Sequence, residues 1–237
     1  MENILNIGIK YLNSNVQLSV VIPTLNEEEF IKPCLESLSF IDPDEVIVVD
    51  GGSRDRTVEI AKFFGAKVIV SQRGRGKQLF LGAKLAQGDY LLFLHADCRF
   101  TKPADLRRAI KEGFAWGFFP IRYEPTNLEL KLLSAWINFR SKIFALPFGD
   151  QGLLVKHALY EEVEGFKDYP FLEDVDLVLR LRKKARPKFF PVSLTVSSRK
   201  LKPHIPLYPT FHSLRNFAIL LAFLVGCPPN LLAKFYK

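Results

Sequence analysis

The chain predicts an α/β fold on a mostly parallel sheet, and three observations carry that prediction. Between Leu18 and Asp97 four short apolar runs, "LSVVIPT", "EVIVVDGGS", "AKVIVS" and "YLLFLHAD", alternate with helix-like segments. Each run is continuously apolar, as strands are when helices cover both faces of a sheet. Each also ends in polar or glycine-rich residues, which is what the carboxyl edge of such a sheet offers to a ligand.

The elements follow in order. Helices are expected around residues 33–38, 57–64 and 77–86, with Pro33 beginning or kinking the first because an interior proline removes a hydrogen bond. Past residue 100, Ala104 to Gly113 predicts a helix opened by Pro103, and "FAWGFFPIRY" a strand. Leu128 to Phe144 predicts an amphipathic helix whose stripe includes Leu133, Trp136, Ile137 and Phe144, with Lys131, Arg140 and Lys142 interspersed. "FLEDVDLVLRLRKKA" reads as a helix and "KFFPVSLTV" as a strand; Pro203, Pro206 and Pro209 punctuate an extended connection to an apolar helix over 211–226. No repeat, low-complexity segment or linker interrupts the 237 residues, so one domain is expected.

Charge is unevenly placed. The net charge is +8, yet Leu177 to Lys237 holds 12 Lys or Arg and no Asp or Glu. That quarter should face phosphate, lipid headgroups or another anion. The basic residues form no recognisable nucleic-acid module, so nucleic acid is not an expected partner. Cys34, Cys98 and Cys227 are odd in number and match no paired metal spacing, which fits a reducing cytoplasm. The start "MENILNIGIKYLNSN" lacks a signal-peptide pattern, and the longest apolar run, Phe217 to Cys227, is shorter than the ~20 residues of a spanning helix.

Several clusters could carry chemistry. Asp50, followed by Gly51, Gly52 and Ser53, could bind a base or ribose edge, or form a turn that caps the next helix. Arg73, Arg75 and Lys77 surround two glycines at a helix mouth, forming either a diphosphate cradle or a solvated basic loop. In "LHAD", His95 and Asp97 lie two residues apart on the same side of an extended chain. They could hold a divalent ion, contact a nucleotide, or end the strand with a turn. Glu173 and Asp174 point about 100° apart on a helix, so one of them at most is catalytic, and Asp176 with Arg180 reads as a surface ion pair. "PFGDQGLLV" could bind an acceptor hydroxyl or be a turn, and "VSSRK" suits phosphate oxygens or solvent.

Six segments in order, "SVVIPTLNEEE", "VIVVDGGSRDRTVEIA", "GRGKQLFLGAKLAQGDYLLFLHAD", "GDQGLLV", "FLEDVDLVLRLRKKA" and "VSSRK", resemble the family 2 glycosyltransferases of GT-A fold. The chain looks most like their small radical-SAM/selenodomain-associated branch. The resemblance implies a GT-A sheet with a helical C-terminal extension: a nucleotide-binding half over 17–100, an acceptor half over 101–200 and the extension over 201–237. It implies a cytoplasmic enzyme that moves a sugar from a nucleotide-sugar donor to an acceptor hydroxyl with inversion. Pro23, Thr24, Glu27, Asp50, Gly51, Ser53, His95 and Ala96 would hold the nucleotide, with Arg73 and Lys77 at its diphosphate. Asp97 matches the last acid of the DXD motif that holds Mn2+ or Mg2+, whereas His95 replaces the first. Asp174 matches the general base of the ED pair. Asp150, Gln151 and Glu173 would meet the acceptor, and Ser198 and Arg199 phosphate.

Two other readings stand beside this one. A nucleotidyltransferase-like enzyme would bring a glycine-rich basic first loop, and "PTLNEEE" is acidic and glycine-free. A non-catalytic nucleotide-binding module would not need Asp174. Helices 128–144 and 211–226 combine apolar stripes with flanking Lys and Arg, as interfacial helices do, so peripheral contact with an inner membrane is a further expectation.

Overall fold

The computed structural model describes residues 16–202 and 204–236. The signal-peptide reading of residues 1–15 and the placement of Pro203 lie outside the described residues. Four parallel strands, β1 (Leu18–Thr24), β2 (Glu45–Asp50), β3 (Lys67–Val70) and β4 (Tyr90–Phe93), stand in the order β3-β2-β1-β4. They are joined through α1 (Glu28–Ser37), α2 (Thr57–Phe63) and α3 (Arg75–Leu85).

The chain then builds β5 (Cys98–Phe100), α4 (Leu106–Glu112), β6 (Trp116–Phe118), β7 (Ile121–Glu124), α5 (Leu128–Phe144) and β8 (Leu153–Lys156). After these come α6 (His157–Glu162), α7 (Glu173–Lys184), β9 (Lys188–Phe189), β10 (Leu194–Ser197), α8 (Tyr208–Leu224) and α9 (Pro229–Tyr236). Strand β8 runs antiparallel to β4 and β6, and the main sheet reads β3-β2-β1-β4-β8-β6-β9. A second sheet, β5-β10-β7, stands at its carboxyl side.

The continuous apolar runs have a direct cause in this layering. Val20, Ile22 and Leu92 enter a core with α1 residues Ile31 and Leu35, whereas Val21, Leu91 and Phe93 enter the opposite core with Leu79 and Val175. Successive strand residues therefore both need apolar side chains. Helix α3 lies so close to β1 that a Cβ on Gly82 would stand 2.3 Å from Val21 Cγ1.

Four boundaries differ from the sequence reading. Helix α1 starts at Glu28 and carries Pro33 inside it. The Glu27 carbonyl accepts the Phe30 and Ile31 N–H groups, and the carbonyl to which Pro33 cannot donate belongs to the exposed Glu29. The run "FAWGFFPIRY" is two strands in different sheets, divided at Phe119 and Pro120. "KFFPVSLTV" divides likewise at Pro191; proline has no N–H for the ladder, so the chain turns the corner there. In place of an extended approach through Pro209, α8 begins at Tyr208 with that proline in its first turn.

Candidate functional site

The carboxyl ends of β1, β2 and β4 carry the first group of residues. Asp50 is 1% exposed and accepts from the Gly52 N–H at 2.9 Å, the Ser53 N–H at 2.8 Å, Ser53 Oγ at 2.5 Å and Thr24 Oγ1 at 3.0 Å. Its carboxylate is spent on shaping the turn through Gly51. Gln78, which the sequence reading passed over, donates from Nε2 to the Thr24 and Val49 carbonyls at 2.8 and 2.7 Å and so ties β1 to β2 under that turn. Pro23 lies in β1 opposite Val49.

Past β4 the chain leaves the sheet through His95, Ala96 and Asp97. Asp97 stands in the wall between two cavities. The first is also lined by Arg75, His95, Asp150, Asp174 and Lys200. The second runs along Ala96, Arg99, Ser198 and Arg199. Asp97 Oδ2 faces Arg199 Nη2 at 3.5 Å and Lys200 Nζ at 3.6 Å. Burial works to raise its pKa, but Lys200, His95 and Arg199 outweigh burial and hold the carboxyl below its usual range. Arg199 also grips both oxygens of Glu27, at 2.7 and 2.5 Å, and lies 4.0 Å above the Phe30 ring. Burial still raises the Glu27 carboxyl against that pairing.

The turn over residues 149–151 closes the far side. The Gly149 N–H donates to Asp174 Oδ2 at 2.6 Å, and Asp174 Oδ1 accepts the Val175 N–H at 2.8 Å. Asp150 lines the cavity with Oδ1 buried and, among the described residues, without a hydrogen-bond partner. Burial, then Asp174 and Asp97, push its carboxyl up to about 6. Arg140 is 4% exposed and lines the same cavity. Its Nη1 donates to the Leu146 carbonyl at 2.9 Å, whereas its Nη2 has no hydrogen-bond partner among the described residues.

Not every candidate reaches the cavity. Gln151 is wholly buried, accepting from Ser141 Oγ at 2.6 Å and donating to the Phe119 carbonyl at 3.3 Å. Glu173 is 1% exposed and paired with Arg75, and burial raises its carboxyl against that cation. Of the three cations in "QRGRGKQ", Arg75 lines the cavity; Arg73 is exposed, and Lys77 pairs with Asp168 at 3.4 Å. Ser198 Oγ is turned to the Pro125 carbonyl at 2.9 Å. Asp176 and Arg180 do pair, at 2.6 Å, but both side chains are largely buried because Arg180 also reaches the Gly165 carbonyl. The sequence carried no signal for Arg140, since its only mark was a position among apolar neighbours. Lys200 stood within "VSSRK" and had such a signal.

The donor chemistry here suits a divalent cation. Ligand atoms of His95, Asp97 and Cys98 lie within 4.8 Å of one another. Burial, then the Arg75 cation, push the His95 imidazole down to about 4, so at neutral pH it is an uncharged nitrogen donor beside a carboxylate. The buried Cys98 thiol is pushed well up and stays protonated, which leaves His95 and Asp97 as the fitting pair. The two cations on Asp97 compete with a metal for the same oxygen.

The sequence profile of Glycosyl transferase family 2 matches residues 19–147, more than half of the chain. The chain belongs to that family. Among curated relatives, a PGL/p-HBAD biosynthesis glycosyltransferase of Mycobacterium bovis is 38% identical over 88 residues, 33% of this chain and 34% of that protein. A glucosyl-3-phosphoglycerate synthase of Petrotoga mobilis is 30% identical over 119 residues, 43% of this chain and 36% of that protein. The match spans about a third of the length of these relatives. An uncharacterized glycosyltransferase of Haemophilus influenzae is 27% identical over 84% of this chain and 70% of its own.

Solved structures share the fold. The mannosyltransferase PcManGT of Pyrobaculum calidifontis, in complex with GDP-Man and Mn2+, superposes with a TM-score of 0.66 at 18% identity, covering 94% of this chain and 69% of that one. Glucosyl-3-phosphoglycerate synthase of Mycobacterium tuberculosis, in complex with Mn2+, UDP and glucosyl-3-phosphoglycerate, gives 0.59 at 23% identity over 93% and 84%. The mostly parallel sheet flanked by helices is thus the GT-A arrangement of these glycosyltransferases. Among the described residues no helix is long and apolar enough to cross a membrane.

Proposed function

We propose that this family 2 member is a glycosyltransferase that moves a sugar from a nucleotide-sugar donor to an acceptor hydroxyl in a single inverting displacement. The observation that supports the reading is that Asp97 and Asp174, which the resemblance matches to the DXD acid and the ED base, line one cavity with Arg75 and Lys200. We place the chain in the radical-SAM/selenodomain-associated branch and in the cytoplasm, with the halves divided near residue 100.

Asp174 takes the proton of the acceptor hydroxyl as its oxygen bonds to the anomeric carbon and the bond from that carbon to the diphosphate breaks. The Gly149 and Val175 N–H groups fix the carboxylate for this task. Arg75 and Lys200 offset the charge that develops on the leaving diphosphate. A divalent ion, Mn2+ or Mg2+, held by His95 and Asp97 would add Lewis-acid neutralisation of the same charge. The nucleoside lies along Pro23, Thr24, Glu27, Gly51 and Ser53, with Asp50 acting through the shape of the turn. Arg199 and Ser198 border the phosphate side, and Asp150 meets the acceptor.

A second assignment of the base has its own support. Asp150 has an oxygen without a partner among the described residues and a carboxyl pushed up to about 6, whereas both Asp174 oxygens already accept backbone bonds.

A thermal-shift screen of nucleotides and sugar nucleotides, with and without Mn2+ or Mg2+, tests the main reading. A ligand at ~100 times its dissociation constant adds ~2.7 kcal/mol of stability, and no shift with any nucleotide removes the proposal. Asp174→Asn should abolish turnover and keep donor binding. Retained activity in Asp174→Asn with loss in Asp150→Asn would transfer the base role to Asp150.

A further inference from the structure

Helix α5 is apolar on two opposite faces. With about 100° between successive helical residues, Leu130, Leu133 and Ile137 fall on one side and are buried. Leu128, Leu132, Trp136, Phe139 and Ile143 fall within about 80° of one another on the other side, and all are more than half exposed. The sequence reading of a single stripe containing Leu133, Trp136 and Ile137 merged these two faces.

Helix α8 repeats the pattern beside it. Phe211, Leu214, Phe217, Leu221 and Leu224 recur every three or four residues and are 40–66% exposed. The two helices run side by side from their N-termini, where the Glu129 carboxylate accepts the Thr210 N–H and Oγ1 at 3.0 and 2.7 Å. Trp136 and Phe217 belong to these outward stripes and also line the cavity of Asp174. The exposed apolar face is therefore continuous with the mouth of the catalytic pocket.

Charge decides among occupants. Glu129 is the one acid in α5, α8 and α9, and it is engaged with Thr210. The same helices carry Lys131, Lys142, Arg215 and Lys234, Lys202 lies shortly before α8, and the whole chain from Leu177 onward is acid-free. A second copy of this face would oppose cations to cations. A bilayer with anionic headgroups satisfies both the apolar stripes and their basic surround.

We infer that the outward faces of α5 and α8 dock this protein on an anionic lipid bilayer and hold the catalytic pocket open at the headgroup plane. The inference deepens the glycosyltransferase reading, since it sets the side from which an acceptor approaches Asp174.

The chain's two tryptophans supply a direct test, because Trp116 is fully buried and Trp136 is 52% exposed. Full-chain protein is mixed with vesicles of phosphatidylcholine, alone or blended with phosphatidylglycerol, and followed by flotation and tryptophan emission. The expected result is flotation about tenfold stronger with the anionic vesicles and weakened by salt. A blue shift of emission should accompany it and vanish in Trp136→Phe. The double variant Leu132→Glu with Leu214→Glu should stay in the soluble fraction and keep its nucleotide-induced thermal shift. Wild-type protein that ignores anionic vesicles overturns the inference, as does sedimentation showing that the stripes pair two copies instead. Nucleotide binding without vesicle binding removes the docking face alone; vesicle binding without any nucleotide response removes the glycosyltransferase reading alone.

Discussion

The backbone N–H of Gly149 donates to Asp174 Oδ2 at 2.6 Å, fastening the turn over residues 149–151 to the first turn of α7. A Cβ on Gly149 would stand 2.8 Å from His95 Nε2 and 3.0 Å from Asp174 Oδ2. The absent side chain thus lets one backbone segment lie between the two groups assigned to metal or nucleotide and to proton transfer.

Gly149→Ala should consequently displace both side chains without straining the backbone. The expected loss in kcat is about 100-fold, the scale of a misplacement near 1 Å. Steady-state kinetics beside a circular-dichroism spectrum checks it; full activity would show that the close approach carries no catalytic constraint.

Asp150→Asn should change the pH dependence of stability. The folded-state pKa of Asp150 is raised, to about 6, so between its unfolded value and 6 the native state binds the extra proton. The wild type therefore loses stability as pH rises through that window, and the loss is complete above it. Asn carries no such charge. Urea unfolding should find the variant more stable than wild type at pH 8, by on the order of 3 kcal/mol, with the gain fading toward pH 4.

Arg140→Met removes the unpartnered guanidinium nitrogen from the cavity and retains apolar bulk. Acceptor KM should rise about tenfold, the scale of one charge-assisted hydrogen bond. Donor affinity by calorimetry should be unchanged; a loss of donor binding would move Arg140 to the nucleotide side.

Gln78→Leu deletes the amide that bridges β1 and β2. The Thr24 carbonyl keeps the Gly51 N–H at 2.9 Å, so the expected cost in urea unfolding is about 1–2 kcal/mol. Nucleotide binding should weaken as the Asp50 turn loosens. A stability equal to wild type would mean that water replaces the amide.

The first four strands were legible because burial on both faces demands the same chemistry from every residue, and a run such as "EVIVV" leaves no other reading. An acid beyond a strand end or at a helix start also serves as a turn or cap residue. Asp97 and Asp174 therefore stood out through the family resemblance, and only the structure shows that both line one cavity. The splits at Pro120 and Pro191 were marked by the prolines themselves, but local pattern cannot say that the next strand joins a different sheet. Arg140 looked like one of several flanking cations on α5, and packing turned it inward.

By itself, then, the sequence determined the layered α/β sheet, its family resemblance and the order of polar segments along one sheet edge. It determined these because apolar periodicity and chain order are local properties. Tertiary structure alone decided that Arg75 rather than Arg73 or Lys77 turns into the cavity, that Gln151 and Glu173 are spent inside the protein, and that α5 shows apolar residues to both core and solvent. Those outcomes depend on which groups meet across separations such as the 98 residues between Arg75 and Glu173, and no spacing along the chain records such a meeting.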